Sequence, residues 1–245
     1  MTPPLIDSSQ RKAAKIAGFS CLTSLVFMTI AEFQFGAVMG SAVKYPAETA
    51  RYVLAHETLI RFGIVGVVLC CVGLLVLSAA LYIVLKPVDQ NLALLAFSAR
   101  LFHAISWFLF SLTLVTALRL VDPSAIGGSD DVRAFPADRL PFIARLYLSS
   151  YDQIYAGLLF WDLGVMVGSY LWLRSGYIPR ALAVFGILTS VWGAACALGL
   201  YIVPDFPNRV NVTWYDTPVV LFEVVLSFVL LFRDLQPSRM ASGSG

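Results

Sequence analysis

Six long apolar stretches, separated by short polar segments, dominate the chain. A helix needs about 20 mostly apolar residues to cross a membrane, and these stretches approach or exceed that length. They cover residues 16–38, 59–85, 92–118, 151–173, 179–203 and 218–232. We therefore predict an all-α fold, a six-helix transmembrane bundle over residues 16–235. A tail at 1–15 precedes the bundle and a second tail at 236–245 follows it.

The ends of these stretches carry helix-ending and helix-starting residues. The second stretch stops at Lys86-Pro87, and Asp89 is placed to cap the start of the third. Gly176 fits the cap that ends the fourth helix. Pro179 suits the first turn of the fifth. The connections at 86–91 and 174–180 are thus predicted to be tight turns.

The connections on the other side are longer and have helical character. Residues 46–57 (PAETARYVLAHE) and 138–148 (DRLPFIARLYL) combine an early proline or acid with good helix formers. We predict that they form two short helices on the outer surface, next to the second and fourth spans.

Charge placement predicts the orientation. With the N-terminus inside, the inner segments hold eight cations and three acids, whereas the outer segments hold seven cations and eight acids. Short loops rich in Lys and Arg stay in the cytoplasm. We therefore expect both termini to be cytoplasmic.

Composition narrows the function classes. The chain is 59% apolar and 13% charged, with a mean hydropathy of +0.80, whereas soluble domains carry about 25% charged residues. A net charge of +2 is too small to indicate a nucleic-acid partner. Four cysteines in apolar runs, two histidines and no phosphate-binding glycine loop favour no metal and no cofactor.

Seven ionisable residues lie inside these stretches or at their ends. A charge within a bilayer is costly, so such residues face the interior of the bundle and usually mark a working site. By the helical rise of about 1.5 Å per residue, four of them fall in the outer part of the membrane and three near its middle. The outer four are Glu32, Glu57, Arg61 and Glu223, and the middle three are Arg100, His103 and Asp162.

Two pairings follow from these depths. Glu57 and Arg61 are four residues apart, which favours an ion pair on one helix face. Arg100 and Asp162 come out at the same depth, so we predict a salt bridge between the third and fourth helices. The outer layer then holds three acids and one guanidinium. We expect at least one of those carboxyl groups to stay protonated near neutral pH.

Helical spacing also predicts polar stripes that face inward. They comprise Arg100, His103, Trp107 and Ser111 on the third helix, Tyr155, Asp162 and Ser169 on the fourth, and Glu223 and Ser227 on the sixth. Gly157, Gly164 and Gly168 would allow the fourth helix to pack closely on a neighbour.

The leading hypothesis is a membrane-embedded pocket, open toward the outer half, for a lipid or another lipophilic small molecule. Glu32 or Glu223 would be the proton donor in an acid-catalysed reaction, such as the isomerisation or cyclisation of an isoprenoid-like substrate. The pocket walls would comprise Glu57, Arg61, Arg100, His103, Trp107, Tyr155 and Asp162.

Three alternatives stay open. A proton-coupled transporter would use the same acids as proton sites. A non-catalytic membrane partner or sensor would use its buried ion pairs only to fix the bundle, with every acid paired and no cavity. A divalent ion held by Glu32, Glu57 and Glu223 is a weaker possibility.

Four segments of the chain resemble a known family. They are AHETLIRFG at 55–63, LYIVLKPV at 81–88, LALLAFSAR at 92–100 and RSGYIPR at 174–180. The chain resembles, over nearly its whole length, the bacterial membrane family called domain of unknown function 4386. The resemblance implies a six-helix protein of the bacterial inner membrane, and it brings no activity and no catalytic residues.

Overall fold

The computed structural model is all-helical over the residues that it describes, which are 7–44, 55–121, 152–203, 206, 210, 212–233 and 235. It has six helices in these ranges. They are α1 (Ser8–Lys44), α2 (Glu57–Leu85), α3 (Gln90–Val121), α4 (Asp152–Ser175), α5 (Arg180–Ile202) and α6 (Val212–Phe232).

All six helices contain a segment that is long and apolar enough to cross a membrane. This is the architecture of a multi-pass membrane protein, and it confirms the six predicted spans. The two short outer-surface helices predicted at 46–57 and 138–148 lie outside the described residues, except for the last few residues of the first.

The start of α1 is set by a reciprocal cap. The backbone N–H of Gln10 donates to Asp7 Oδ1 at 2.7 Å, and the backbone N–H of Asp7 donates to Gln10 Oε1 at 3.0 Å. This capping box satisfies two donors that a helix start otherwise leaves free. Gln10 Nε2 also donates to the Val84 carbonyl near the end of α2, at 3.2 Å. The helix therefore begins at Ser8, eight residues earlier than residue 16, and includes the cations Arg11, Lys12 and Lys15.

Two tight turns behave as the sequence predicts. Asp89 Oδ1 accepts the backbone N–H groups of Asn91 and Leu92 at 3.1 and 3.2 Å, so Asp89 caps α3. Its other oxygen accepts a hydrogen bond from Arg174 Nη1 at 3.0 Å. Gly176 has a φ of 67° directly after α4, the left-handed conformation that favours glycine at a helix end.

The chain forms two compact units. The first comprises Met1–Thr23, Gly73–Ala104 and Tyr155–Gly245, and the second comprises Ser24–Val72 and Ile105–Ile154. In the first unit α5 packs on α6. There α1 also approaches α6 closely at Gly18, where a Cβ would lie 2.7 Å from the Ser227 carbonyl oxygen. In the second unit Ser24 Oγ donates to the Cys70 carbonyl at 3.5 Å.

Many large apolar side chains lie on the outside of the helices. Examples are Phe19, Phe33, Phe62, Trp214 and Phe232, each more than 60% exposed. A soluble protein rarely presents so much apolar surface, whereas acyl chains solvate it well. The outward faces therefore fit a lipid environment.

The Asp89 cap gives a pH-dependent contribution to stability. Hydrogen bonds from the Leu92 backbone and from Arg174 hold the pKa of Asp89 below its ordinary value of 3.8. Because this pKa is depressed, the stabilisation is present above about pH 4 and is lost as the pH falls through the folded-state value. We expect Asp89→Ala to lower the midpoint of thermal unfolding by a few degrees at pH 7, with the difference from the native protein closing at acid pH.

Asp89→Asn is the matched control, because asparagine also caps helices but carries no charge for Arg174. It should recover part of the loss in Asp89→Ala and show less dependence on pH. Circular dichroism melts in a neutral detergent between pH 3 and 8 would measure both variants. A deficit in Asp89→Ala that stays constant across this range would contradict the assignment.

Candidate functional site

The carboxylate of Glu223 on α6 contacts side chains of three other helices in the first unit. Glu223 is 3% exposed. Its Oε1 accepts hydrogen bonds from Arg100 Nη2 of α3 at 2.7 Å and from Trp161 Nε1 of α4 at 3.1 Å. Its Oε2 lies 3.7 Å from the Cys21 thiol of α1. A single carboxylate thus connects four helices.

The groups around this carboxylate are packed in turn. The ring of His103 stacks on Trp161, with 5.4 Å between centroids and 8° between planes. The stem of Arg100 lies against Gly164, where a Cβ would come within 2.8 Å of Arg100 Cγ. This contact is the close packing that the small residues of the fourth helix predict, and it leaves the guanidinium little freedom to leave Glu223.

The predicted salt bridge between Arg100 and Asp162 is therefore wrong, because the structure pairs Arg100 with Glu223. The position of Glu223 was misjudged for a physical reason. The sequence places the start of the last helix at Pro218, whereas α6 begins at Val212 and Pro218 lies inside it. Glu223 is thus near the middle of a 21-residue helix, and not in an outer layer.

Asp162 is buried without such a partner. It is 2% exposed, and none of the described residues donates a hydrogen bond to its Oδ1. The carboxyl packs against Gly193 of α5, where any Cβ would overlap both of its oxygens. A glycine at 193 is what allows an acid to lie between α4 and α5. A buried polar group without a hydrogen-bond partner lowers the stability of the fold, so the position of Asp162 needs an explanation.

A crevice of about 320 Å³ between α4 and α5 adjoins this carboxyl. Its walls are almost entirely apolar apart from Asp162 and Ser190, whose hydroxyl donates to the Gly186 carbonyl at 2.7 Å. The rim residue Phe160 is 38% exposed, so the crevice reaches the surface of the helix pair. The remaining lining residues are Leu159, Leu163, Met166 and Ala194.

A second, smaller cavity lies on the other side of α4. Arg100, Gly168 and Ser169 line it together with residues of α2 and α6. It has room for about one water molecule. Ser169 Oγ is buried without a hydrogen-bond partner there, and a Cβ at Gly168 would meet nothing within 4 Å. This cavity suits a single buried water and not an organic ligand.

Three of the remaining predicted site residues, Glu57, Arg61 and Trp107, have described side chains. Arg61 pairs with Glu57 as predicted, with Arg61 Nε donating to Glu57 Oε1 at 2.7 Å. Their side chains are 40% and 31% exposed, so this pair is worth no more than about 1 kcal/mol. Trp107 is buried, with its ring edge-on to Phe110 at 6.1 Å.

The side chains of two predicted site residues lie outside the described part of the structure. Glu32 lies within α1 and Tyr155 within α4, and their proposed roles as proton donor and pocket wall stay predictions. Within the described ranges no cluster of His, Cys, Asp and Glu is arranged to hold a metal ion.

The stripes predicted from helical spacing are buried wherever their side chains are described, in α3, α4 and α6. The contributions of Gly193 and Cys21 could not be found in this way. Both are small apolar residues in an apolar helix, and only the neighbouring helix shows what each of them contacts.

These features define the class of the protein. It is a helical membrane protein whose buried polar groups come from several helices. Within this class the chain belongs to the family described as Domain of unknown function (DUF4386), whose model matches residues 16–233. No curated protein and no solved structure matches the chain.

The pairing of Arg100 with Glu223 gives a test of stability. Arg100→Ala leaves a buried carboxylate with no counter-charge, so we expect it to lower the free energy of unfolding by about 3–5 kcal/mol. Adding Glu223→Gln removes that charge and should recover part of the loss. Denaturation with SDS in mixed micelles, followed by circular dichroism, would measure the double-mutant cycle.

Asp162→Asn is the control partner in the same cycle. Added to Arg100→Ala, it should change the free energy of unfolding by the same amount as it does alone, since Asp162 makes no ion pair with Arg100. Recovery with Asp162→Asn and none with Glu223→Gln would instead support the partner that the depth estimate predicts.

Proposed function

We propose that this protein binds a lipophilic small molecule within the membrane, in the crevice between α4 and α5. The observation that carries this proposal is the buried Asp162 carboxyl, which lines the crevice and has no protein donor at Oδ1 among the described residues. A bound molecule would supply the missing hydrogen bond. The apolar walls would hold the rest of that molecule.

The size and character of the crevice support this proposal. Sites for small molecules are concave and mostly apolar, with a few polar groups, and range from about 300 to 1,000 Å³. The crevice, at about 320 Å³ with one carboxyl and one hydroxyl, falls at the lower end of this range. It is also lateral, so a membrane-dissolved molecule would enter it without crossing water.

The alternative of a purely structural protein fits the crevice poorly. A bundle fixed only by its ion pairs should have each buried acid paired and no cavity beside it. The pair of Glu223 with Arg100 meets that expectation. Asp162 and its crevice do not, and this difference favours binding over a scaffold role.

The proposal is for binding, and catalysis would extend it. An isomerase or cyclase acting on an isoprenoid-like molecule needs a proton donor at the bound substrate. Both Glu223 oxygens already contact protein groups, which are Arg100 and Trp161 on one side and Cys21 on the other. Asp162 is the carboxyl that adjoins the crevice, so it replaces Glu223 as our candidate for that role. A proton-coupled transporter would use the same carboxyl.

Blocking the crevice tests the binding proposal. Ala194 lines it, so Ala194→Leu should fill it, whereas Ala195→Leu places the same side chain on an exposed position of the same helix. Native mass spectrometry of the protein purified in mild detergent would compare the retained lipophilic adducts. We expect an adduct in the native protein and in Ala195→Leu, with at least about a tenfold loss in Ala194→Leu, which corresponds to about 1.4 kcal/mol.

Equal adduct patterns in all three proteins would contradict the proposal. A thermal melt of each variant serves as the check on folding, because a loss of adduct counts only where Ala194→Leu unfolds at the same temperature as Ala195→Leu.

The proposed location is a bacterial inner membrane with both termini in the cytoplasm. Exposed cations near the tight turns support this orientation, and they are Arg11, Lys12, Lys15, Lys86, Arg174 and Arg180. Positively charged short segments stay on the cytoplasmic side. A reporter fused after Gly245 should be active in its cytoplasmic form, and a periplasmic signal would reverse the assignment.

A further inference from the structure

The crevice combines the carboxyl of Asp162 with apolar walls. Building on the proposed function, we infer that the molecule it holds is a lipophilic cation, an alkyl or isoprenoid-like chain ending in an ammonium group. The positive charge would lie at Asp162, and the chain would lie along the apolar walls.

The charges around Asp162 carry the first step. Glu223 has its counter-charge in Arg100, at 2.7 Å. Asp162 has no cation within ion-pair distance among the described residues. A cation entering the crevice would give this carboxyl the counter-charge that no described residue supplies, and the attraction between the two charges is strong where water is excluded.

The walls carry the second step. Leu159, Leu163, Met166 and Ala194 offer apolar contact for a hydrocarbon chain. Phe160 borders the same crevice, and its ring stacks on Phe102 with 5.2 Å between centroids and 27° between planes. The faces of aromatic rings attract ammonium groups. An acid and an aromatic ring at one apolar crevice form a combination that suits an alkylammonium.

Other head groups fit less well. A neutral alcohol would donate one hydrogen bond to Asp162 but would bring no positive charge to balance the carboxylate. A carboxylate or phosphate would be repelled by the Asp162 carboxylate. An ammonium adds a Coulomb attraction to the carboxylate that the alcohol lacks, so we expect it to bind about tenfold more tightly than the alcohol, which corresponds to about 1.4 kcal/mol.

Three photoreactive probes with the same chain test this inference. Each has a 12-carbon chain with a diazirine, and the head group is primary ammonium, hydroxyl or carboxylate. The protein is labelled in a neutral maltoside detergent. Intact mass gives the labelled fraction at each probe concentration, and peptide mapping identifies the labelled helix. We expect labelling of α4 and α5, with half-saturation about tenfold lower for the ammonium probe than for the alcohol and weakest labelling by the carboxylate.

Two variants connect this preference to the crevice. Asp162→Asn keeps the shape that packs against Gly193 and removes the charge, so the ammonium and alcohol probes should then agree within about twofold, since only the charge term differs between them. Ala194→Leu should reduce labelling of the crevice by all three probes, whereas Ala195→Leu should leave the labelling unchanged. If Asp162→Asn does not fold, the three-probe comparison in the native protein and the Ala194→Leu block still decide.

The outcomes separate the two proposals. If the alcohol labels the crevice as tightly as the ammonium in the native protein, the ligand is not a cation and the lipophilic site stands. If Ala194→Leu is labelled like the native protein by every probe, the crevice is not a binding site and both proposals fail. A preference for ammonium that persists in Asp162→Asn would place the cation elsewhere.

Discussion

The need to neutralise charge away from water organises the described core of the first unit. Arg100 and Glu223 lie on different helices, and each is more than nine-tenths buried. In a poorly solvated interior neither charge is tolerable alone, whereas together they attract strongly. Trp161 adds a hydrogen bond from a third helix to the same carboxylate oxygen. The helices must therefore keep the rotation and depth that hold these atoms together.

The fold could be predicted from sequence because membrane helices are specified by length and apolarity. Helix ends with local chemistry were also readable, as with Asp89 and Gly176. The first helix start was missed, because the capping box of Asp7 and Gln10 lies in a segment too polar to be counted as part of a span. Local signals were thus sufficient for the architecture, apart from a few turns at the ends.

Pairing across helices was less predictable because small errors in depth change the partner. Placing the start of α6 at Pro218 instead of Val212 displaces its residues by about 9 Å along the axis. That displacement moved Glu223 into the outer layer and left Asp162 as the apparent partner of Arg100. The burial of all three residues was still correct, since burial depends on helical periodicity and not on the helix start.

Asp162 and Glu223, the two buried acids among the described residues of the first unit, have different environments. Glu223 has its donors supplied by the protein, so its contacts account for its presence in an apolar interior. Asp162 lies on the same kind of inward stripe, yet Gly193 offers it only a small surface and the crevice offers it space. In the sequence, each of these two residues is a single acid within an apolar helix. What separates a structural acid from a candidate binding acid is whether neighbouring helices supply its hydrogen bonds, and this depends on side chains distant in sequence.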